Sequence, residues 1–85
     1  MLMTAAQFRA ARALIGASQA AVAKAIEVSE QTIKRMENDN IGPGKSKAET
    51  TIRAREYFEG EGIVFLDEGD GFQSGVALRV VEDAA

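Results

Sequence analysis

The chain has 85 residues, 46% of them hydrophobic, and a formal net charge of −3, values that fit one small domain with a thin core. It contains no cysteine and no histidine, so disulfides, Cys- or His-based metal sites, His-ligated haem and histidine catalysis are excluded. No apolar run approaches the roughly 20 residues that span a bilayer, and no signal-peptide pattern opens the chain. We therefore expect no membrane association and a cytoplasmic location.

The first predicted helix covers Ala5–Ile15. Thr4 and Gln7 have the T-x-x-Q spacing of a capping box at its start. Gly16 follows at the position where a left-handed residue closes a helix. Three apolar residues recur at helical spacing and should face the core: Phe8, Ala11 and Ile15.

Two short helices are predicted next, over Gln19–Ala25 and over residues 30 to about 38. Ser18 and Ser29 precede them, where a hydroxyl can accept from the free N–H groups of the first turn. The positions expected in the core are Ala20, Ala23, Ile26, Val28, Ile33 and Met36. A helix, a tight turn and a second helix with a polar surface is the plan of a helix-turn-helix DNA-binding unit.

A loop rich in turn-forming residues is predicted over residues 38–45. Ser46 and Glu49 then have the S-x-x-E spacing of a second capping box, which predicts a fourth helix over residues 47–59 with Gly60 as its stop. Ile52 and Phe58 are its expected buried residues.

The hydrophobic period changes after Gly62. Residues 63–66 form a short apolar run, residues 76–81 alternate, and a polar, Gly-rich segment over residues 67–75 joins them, so a β-hairpin is predicted. Because a lone hairpin is marginal in water, it needs a partner surface. That surface is either a second copy of the chain, which is our hypothesis, or the fourth helix of the same chain.

Charge is unevenly divided along the chain. Residues 1–58 carry nine basic and six acidic residues, whereas residues 59–85 carry one basic and seven acidic residues. This asymmetry predicts a mildly basic binding part and an acidic appendage with a different role. We expect a helical domain over residues 1–60 and an acidic hairpin tail over residues 61–85 that serves in dimerisation.

The segment over residues 18–37 resembles the helix-turn-helix of the Cro and lambda-repressor type, the XRE family. The matching pattern reads Ser18-Gln19-x-x-Val22-Ala23-x-x-Ile26-x-Val28-Ser29-x-x-Thr32-Ile33-x-x-Met36-Glu37. The resemblance covers about residues 3 to 66 and implies a mainly α fold of four or five helices, which here precedes a short C-terminal β-hairpin. Small bacterial members of this family carry a tail similar to GIVFLDEG followed by GVALRV.

The resemblance and side-chain chemistry together predict nine DNA-contacting residues: Gln19, Ser29, Glu30, Gln31, Thr32, Lys34, Arg35, Asn38 and Lys45. Gln19 opens the second helix and is suited to a phosphate, as are Lys34, Asn38 and Lys45. Gln31 can bond adenine at N6 and N7, and Arg35 can bond guanine at O6 and N7. Glu30 is either an acceptor for cytosine N4 or a residue that favours the positive end of the helix dipole.

Three further residues bear on the stability of this unit. The resemblance implies that Arg12 and Glu37 form an ion pair inside the domain, the alternative being that Arg12 contacts a phosphate. Glu27 occupies the turn position where the family usually has glycine, because that residue takes a positive φ. A residue with a side chain costs about 1 kcal/mol there.

We expect a sequence-specific DNA-binding transcriptional regulator, a repressor that acts as a homodimer on double-stranded DNA. We expect no enzymatic activity and no cofactor, because the carboxylates and hydroxyls fall in no recognisable catalytic arrangement. The alternatives are an antitoxin-like protein whose acidic tail masks a protein partner, a module whose acidic surface imitates DNA, and a four-helix bundle with no nucleic-acid role. A single basic face formed by the third helix and the Lys45 loop would favour DNA.

Overall fold

The computed structural model of the protein describes residues 3–66 and 74–80. Its elements are α1 (Ala5–Ile15), α2 (Gln19–Ala25), α3 (Glu30–Met36), a single 3-10 turn (Pro43–Lys45), α4 (Ala48–Gly60), β1 (Ile63–Leu66) and β2 (Gly75–Leu78). The predicted fold class, mainly α with a short C-terminal hairpin, is confirmed. In the described part of the chain, no helix combines the length and apolar character that crossing a bilayer requires.

Helix α1 has the predicted bounds because local hydrogen bonds fix both of its ends. The Thr4 hydroxyl accepts from the Gln7 backbone N–H at 3.0 Å, and the Gln7 side chain accepts from the Thr4 N–H at 2.9 Å. Gly16 closes the helix in the left-handed conformation, with φ +69°. The predicted capping box and the predicted glycine stop are both confirmed.

Helices α2 and α3 each begin after a serine whose hydroxyl accepts from the first turn, as predicted. Helix α3 ends at Met36, earlier than predicted, because Asn38 starts a turn instead of continuing the helix. The Asn38 side chain accepts from Asn40 N–H at 2.8 Å, and its carbonyl accepts from Gly42 N–H at 2.8 Å. Asparagine favours such local bonds over helix interiors.

The predicted start of α4 is wrong in detail. Lys47 is the N-cap, no side chain caps the helix, and Ser46 instead donates its backbone N–H to Pro43 at 3.0 Å. The buried Thr51 hydroxyl also donates to the Pro43 carbonyl, at 3.1 Å. Contacts with the 3-10 turn therefore fix the start of α4, and the helix ends at Gly60 before Gly62 takes a positive φ of 96°.

Two predicted core positions are exposed. Ile52 is 54% exposed because α4 buries the face that carries Thr51, Ala54 and Phe58. Ala20 is also exposed. Two residues are about 200° apart around a helix when they are two positions apart, so Ala20 cannot share the buried face of Val22.

The core is built around aromatic rings from both ends of the chain. Phe8 and Phe58 meet edge to face with centroids 5.1 Å apart, and Phe65 lies 6.3 Å from Phe58. Such perpendicular contacts are favourable beyond the area they bury. All four helices and the hairpin contribute to the buried cluster, which contains Met3, Phe8, Ala11, Val22, Ala23, Ile26, Ile33, Met36, Ala54, Phe58, Ile63 and Phe65; Ile15 and Val28 pack against it.

The predicted hairpin is present as an antiparallel pair, in which Ile63 lies opposite Leu78 and Phe65 opposite Val76. Strand β2 is shorter than the predicted run, and most of the predicted loop and Val81 lie outside the described residues. The hairpin packs on α1 through β2 and on α4 through β1. The Gln7 amide also donates to the carbonyls of Leu66 and Gly75, at 3.1 and 2.9 Å. Helices α1 and α4 of the same chain therefore supply part of the surface that the hairpin needs for its stability.

Candidate nucleic-acid interface

Helix α3 presents a polar surface because its apolar face is anchored in the core. Ile33 and Met36 are fully buried. The opposite side leaves four of the predicted site residues exposed: Glu30, Gln31, Lys34 and Arg35. In residues 3–66 and 74–80, neither Lys34 nor Arg35 has a carboxylate within ion-pair distance. Their charges are available to a ligand.

Ser29 and Thr32 are occupied with each other at the start of α3. The Ser29 hydroxyl accepts from the Thr32 backbone N–H at 3.2 Å, and the two hydroxyl oxygens are 3.1 Å apart. Thr32 is half-buried, whereas Ser29 is exposed. These two residues fix the start of α3 through the cap. They therefore have a structural role whether or not they contact a ligand.

The turn between α2 and α3 contains a residue with positive φ although it lacks glycine. Glu27 has φ +60°, as predicted, and the turn is closed by a 2.9 Å hydrogen bond from Val28 N–H to the Ala23 carbonyl. The Glu27 carboxylate lies 3.6 Å from the guanidinium of Arg53 on α4. The strained residue, which costs about 1 kcal/mol, is therefore linked to a third helix.

Arg12 and Glu37 form the predicted ion pair. Arg12 Nε donates to Glu37 Oε2 at 2.6 Å and Nη2 donates to Oε1 at 3.0 Å, while Nη1 donates to the Ala17 carbonyl at 3.1 Å. The Glu37 side chain is only 5% exposed. The hydrogen bonds to Glu37 raise the pKa of Arg12, burial opposes this increase, and the charge of Glu37 adds to it. The pair joins α1 to the end of α3.

Gln19 belongs to the same network. Its side-chain amide donates to Glu37 Oε1 at 3.1 Å, which places this half-buried side chain beside the ion pair. The sequence predicted it as a phosphate contact. That role stays a prediction, and the structure adds a second one, in which Gln19 fixes the start of α2 relative to the end of α3.

Asn38 and Lys45 lie at the two ends of the loop that follows α3. The Asn38 side chain shapes this loop through its bond to Asn40 N–H, whereas Lys45 is exposed at the end of the 3-10 turn. Lys45 carries a positive charge with no carboxylate partner among the described residues, whereas Asn38 is uncharged.

An open groove of about 600 Å³ lies between α3, this loop and α4. We call it the α3–α4 groove, and it is lined by Val28, Ser29, Thr32, Arg35, Ile41, Lys45, Ser46, Lys47, Glu49, Thr50 and Arg53. Four side chains of this set are basic and one is acidic. The groove thus extends the positive surface of α3 toward α4.

Two of the basic residues in the groove, Lys47 and Arg53, were not predicted as site residues. Arg53 is distant from α3 in sequence and comes beside it only through the packing of α4. A weak signal exists, since Glu49, Thr50 and Arg53 recur at helical spacing and so share a face of α4. The spacing does not show that this face of α4 lies against α3, which is known only from the tertiary structure.

Comparison of the chain with family models, curated proteins and solved structures found no match. Within the described ranges, 3–66 and 74–80, no group of three or more carboxylates is placed to hold a metal ion. The exposed face of α3 and the α3–α4 groove are therefore the features of the described residues that bear on function.

Proposed function

We propose that this protein is a cytoplasmic, sequence-specific DNA-binding regulator of the XRE helix-turn-helix type. Helix α3 reads the major groove, and the protein represses transcription by occupying its operator as a homodimer. The mechanism is steric, with no catalytic step and no cofactor. The observation that carries the proposal is a short helix with its apolar face fully buried and Gln31, Lys34 and Arg35 exposed on the other side.

The dimensions of α3 suit this role. A helix with its side chains is about 10–12 Å across, and the major groove of B-DNA is about 12 Å wide. Helix α3 is fixed at both ends: by the Ser29 cap and the turn at Glu27 before it, and by the ion pair at Glu37 after it. A helix fixed in this way can present amide and guanidinium groups to base edges without losing much backbone freedom on binding.

Charge favours DNA as the ligand over the alternative in which the protein's own acidic surface imitates DNA. The exposed face of α3 and the α3–α4 groove together carry Lys34, Arg35, Lys45, Lys47 and Arg53 against the carboxylates of Glu30 and Glu49. This excess of basic over acidic side chains supports duplex DNA as the ligand. A cluster of Lys and Arg on one face is the electrostatic footprint of phosphate binding.

Selection of bound sites from a pool of random duplex DNA, performed with the full chain, tests the proposal. We expect enrichment of one motif with two-fold symmetry, its half-sites about one DNA turn, or roughly 34–36 Å, apart. Binding curves on the enriched site and on a shuffled duplex of equal length then give the specificity. Failure to enrich any motif, together with equal affinity for both duplexes, would contradict sequence-specific binding.

A further inference from the structure

The α3–α4 groove has the chemistry of an anion site. Lys45, Lys47 and Arg35 have no carboxylate partner among residues 3–66 and 74–80. Lys and Arg side chains only donate hydrogen bonds, and they carry positive charge, so an acceptor with negative charge is the ligand complementary to this wall. Ser46 and Thr50 add hydroxyls to the same wall.

Arg53 gives an independent indication of a missing acceptor. Its Nε is buried and has no hydrogen-bond partner within the described part of the chain. Its ion pair with Glu27 is long, at 3.6 Å, and Glu27 is 83% exposed, so this pair contributes little and can be exchanged. A buried donor without a partner is costly, and a shift of the Arg53 side chain that brings its guanidinium to an anion in the groove it lines would relieve that cost.

The size of the groove favours an extended anion over a single ion. Its volume of about 600 Å³ is many times the roughly 30 Å³ that one water molecule occupies in the liquid. One strand of DNA carries a phosphate about every 3.4 Å along the helix axis. Such a strand borders the major groove into which α3 would insert, and Arg35 lies on both α3 and the wall of the α3–α4 groove.

We propose that the α3–α4 groove receives the sugar-phosphate backbone of one DNA strand, and that Lys47 and Arg53 are phosphate contacts. This inference depends on the proposed function, because the phosphates are those of the duplex that α3 reads. Lys47 and Arg53 set the orientation of α3 on the duplex and add affinity without sequence preference. The specificity itself stays with the exposed face of α3.

The salt dependence of binding by the full chain tests this inference. The variants are Lys47→Gln and Arg53→Gln, and the matched control is Lys24→Gln, which removes one positive charge from an exposed residue of α2 outside the predicted site and the β2 edge. Because the homodimer loses one contact in each protomer, each groove variant should reduce the magnitude of the slope of log K against log salt by about 1.8 on the two-half-site operator, twice the roughly 0.9 of a single contact. Affinity for the enriched site and for shuffled DNA should fall by the same factor, while Lys24→Gln leaves the slope unchanged.

A second pair of measurements keeps the test decisive if Arg53→Gln unfolds. Lys47 is exposed, so circular dichroism of Lys47→Gln should match that of the unsubstituted chain. Uncharged methylphosphonates placed one at a time along the enriched site should weaken binding by the unsubstituted chain at each contacted phosphate. At the phosphate that Lys47 contacts, the same replacement should have no further effect on binding by Lys47→Gln. Glu27→Gln keeps Arg53 and removes its carboxylate partner, so this variant should bind as tightly as the unsubstituted chain or more tightly.

The outcomes separate the two proposals. If the unsubstituted chain binds its site and both groove variants keep its salt slope, the groove proposal is wrong and the proposed function stands. If the full chain binds no duplex at any salt concentration, both are wrong. If adenosine triphosphate shifts the amide resonances of groove residues while the groove variants keep the salt slope, a free phosphate compound is the ligand, and the backbone proposal is overturned.

Discussion

Arg12 on α1 and Glu37 after α3 are joined by two hydrogen bonds, of 2.6 and 3.0 Å, between a half-buried guanidinium and a buried carboxylate. Gln19 at the start of α2 donates to the same carboxylate. Arg9 adds a 2.6 Å hydrogen bond to the Glu37 backbone carbonyl. The position of α3, the proposed reading helix, is thus fixed from two other helices at its C-terminal end, outside the DNA-facing surface.

Arg12→Met should destabilise the protein by about 3–5 kcal/mol, because it leaves the buried Glu37 carboxylate without its cation. Urea unfolding of the full chain, followed by circular dichroism, measures this loss. The double variant Arg12→Met with Glu37→Met should recover much of it, since no uncompensated charge then remains. A loss below about 1 kcal/mol, typical of an exposed pair, would contradict a structural role.

The raised pKa of Tyr57 predicts a loss of stability at high pH. Burial raises the pKa of the Tyr57 phenol, and the negative charge of Glu61 raises it further. The folded chain holds this proton more tightly than the unfolded chain. Protonated Tyr57 therefore makes its full contribution to the free energy of unfolding at neutral pH. That contribution is lost as pH rises from the unfolded-state pKa of about 10 through the higher folded value.

The matched control is Tyr57→Phe, which keeps a ring beside Phe58 and removes the titrating group. The unfolding free energy of the unsubstituted chain should fall more steeply above about pH 10 than that of Tyr57→Phe. Tyr57 is the chain's single tyrosine, so ultraviolet absorbance of tyrosinate reports its titration directly. Equal falls in both proteins would exclude a raised pKa at Tyr57.

Local signals predicted the helix boundaries well and the tertiary neighbours poorly. The Thr4–Gln7 capping box and Gly16 fix α1 through bonds within a few residues, so the sequence alone specifies them. Ile52 failed as a core residue because α4 turns Thr51 and Ala54 inward, a choice made by packing. Arg53 joins the α3–α4 groove for the same nonlocal reason, and no spacing in the sequence relates it to Arg35.

Arg35→Ala should weaken specific binding by about 1–3 kcal/mol and relax the preference at one base pair. The reason is that a guanidinium on the exposed face of α3 can bond both acceptors of guanine. Lys34→Ala, the neighbouring substitution, is the control, since a phosphate contact should lose affinity equally on all sequences. Binding curves on matched and mismatched operators measure both. Equal loss on matched and random DNA would remove Arg35 as a base-reading residue.

Binding should be weak for this class of protein and sensitive to salt, because residues 1–58 carry a net charge of only +3. With about 4–6 phosphate contacts, the slope of log K against log salt should be about −4 to −5. A salt titration of the full chain on the enriched site measures it. A slope near zero would argue against DNA as the ligand.

Strand β2 offers the surface proposed for dimerisation. The hydrogen bond from Arg79 N–H to the Gly62 carbonyl, at 2.8 Å, shows that the odd-numbered residues of β2 bond to β1. The backbone groups of Val76 and Leu78 therefore point to the free edge. Leu78 is 42% exposed and Val80 is 88% exposed along the same edge. An open, apolar edge of this kind is a site for pairing with a second chain.

Antiparallel pairing of β2 with its copy would join two hairpins into a four-stranded sheet with two-fold symmetry, the commonest symmetry of dimers. Truncation after Gly62 cannot test this, because Ile63 and Phe65 belong to the core of the helical part. Leu78→Lys is the better substitution, since Leu78 is 42% exposed and lies outside the buried cluster. Ile52→Lys, at an exposed apolar residue of α4, is its matched control.

In sedimentation equilibrium, the unsubstituted chain and Ile52→Lys should be dimers, whereas Leu78→Lys should be a monomer at the same concentration. Leu78→Lys should also lose affinity for the two-half-site operator while it keeps that for one half-site, because only the dimer binds both at once. If Leu78→Lys is as dimeric as the unsubstituted chain, the β2 edge is not the interface. If the unsubstituted chain sediments as a monomer at high micromolar concentration, the hairpin serves only the core of its own chain.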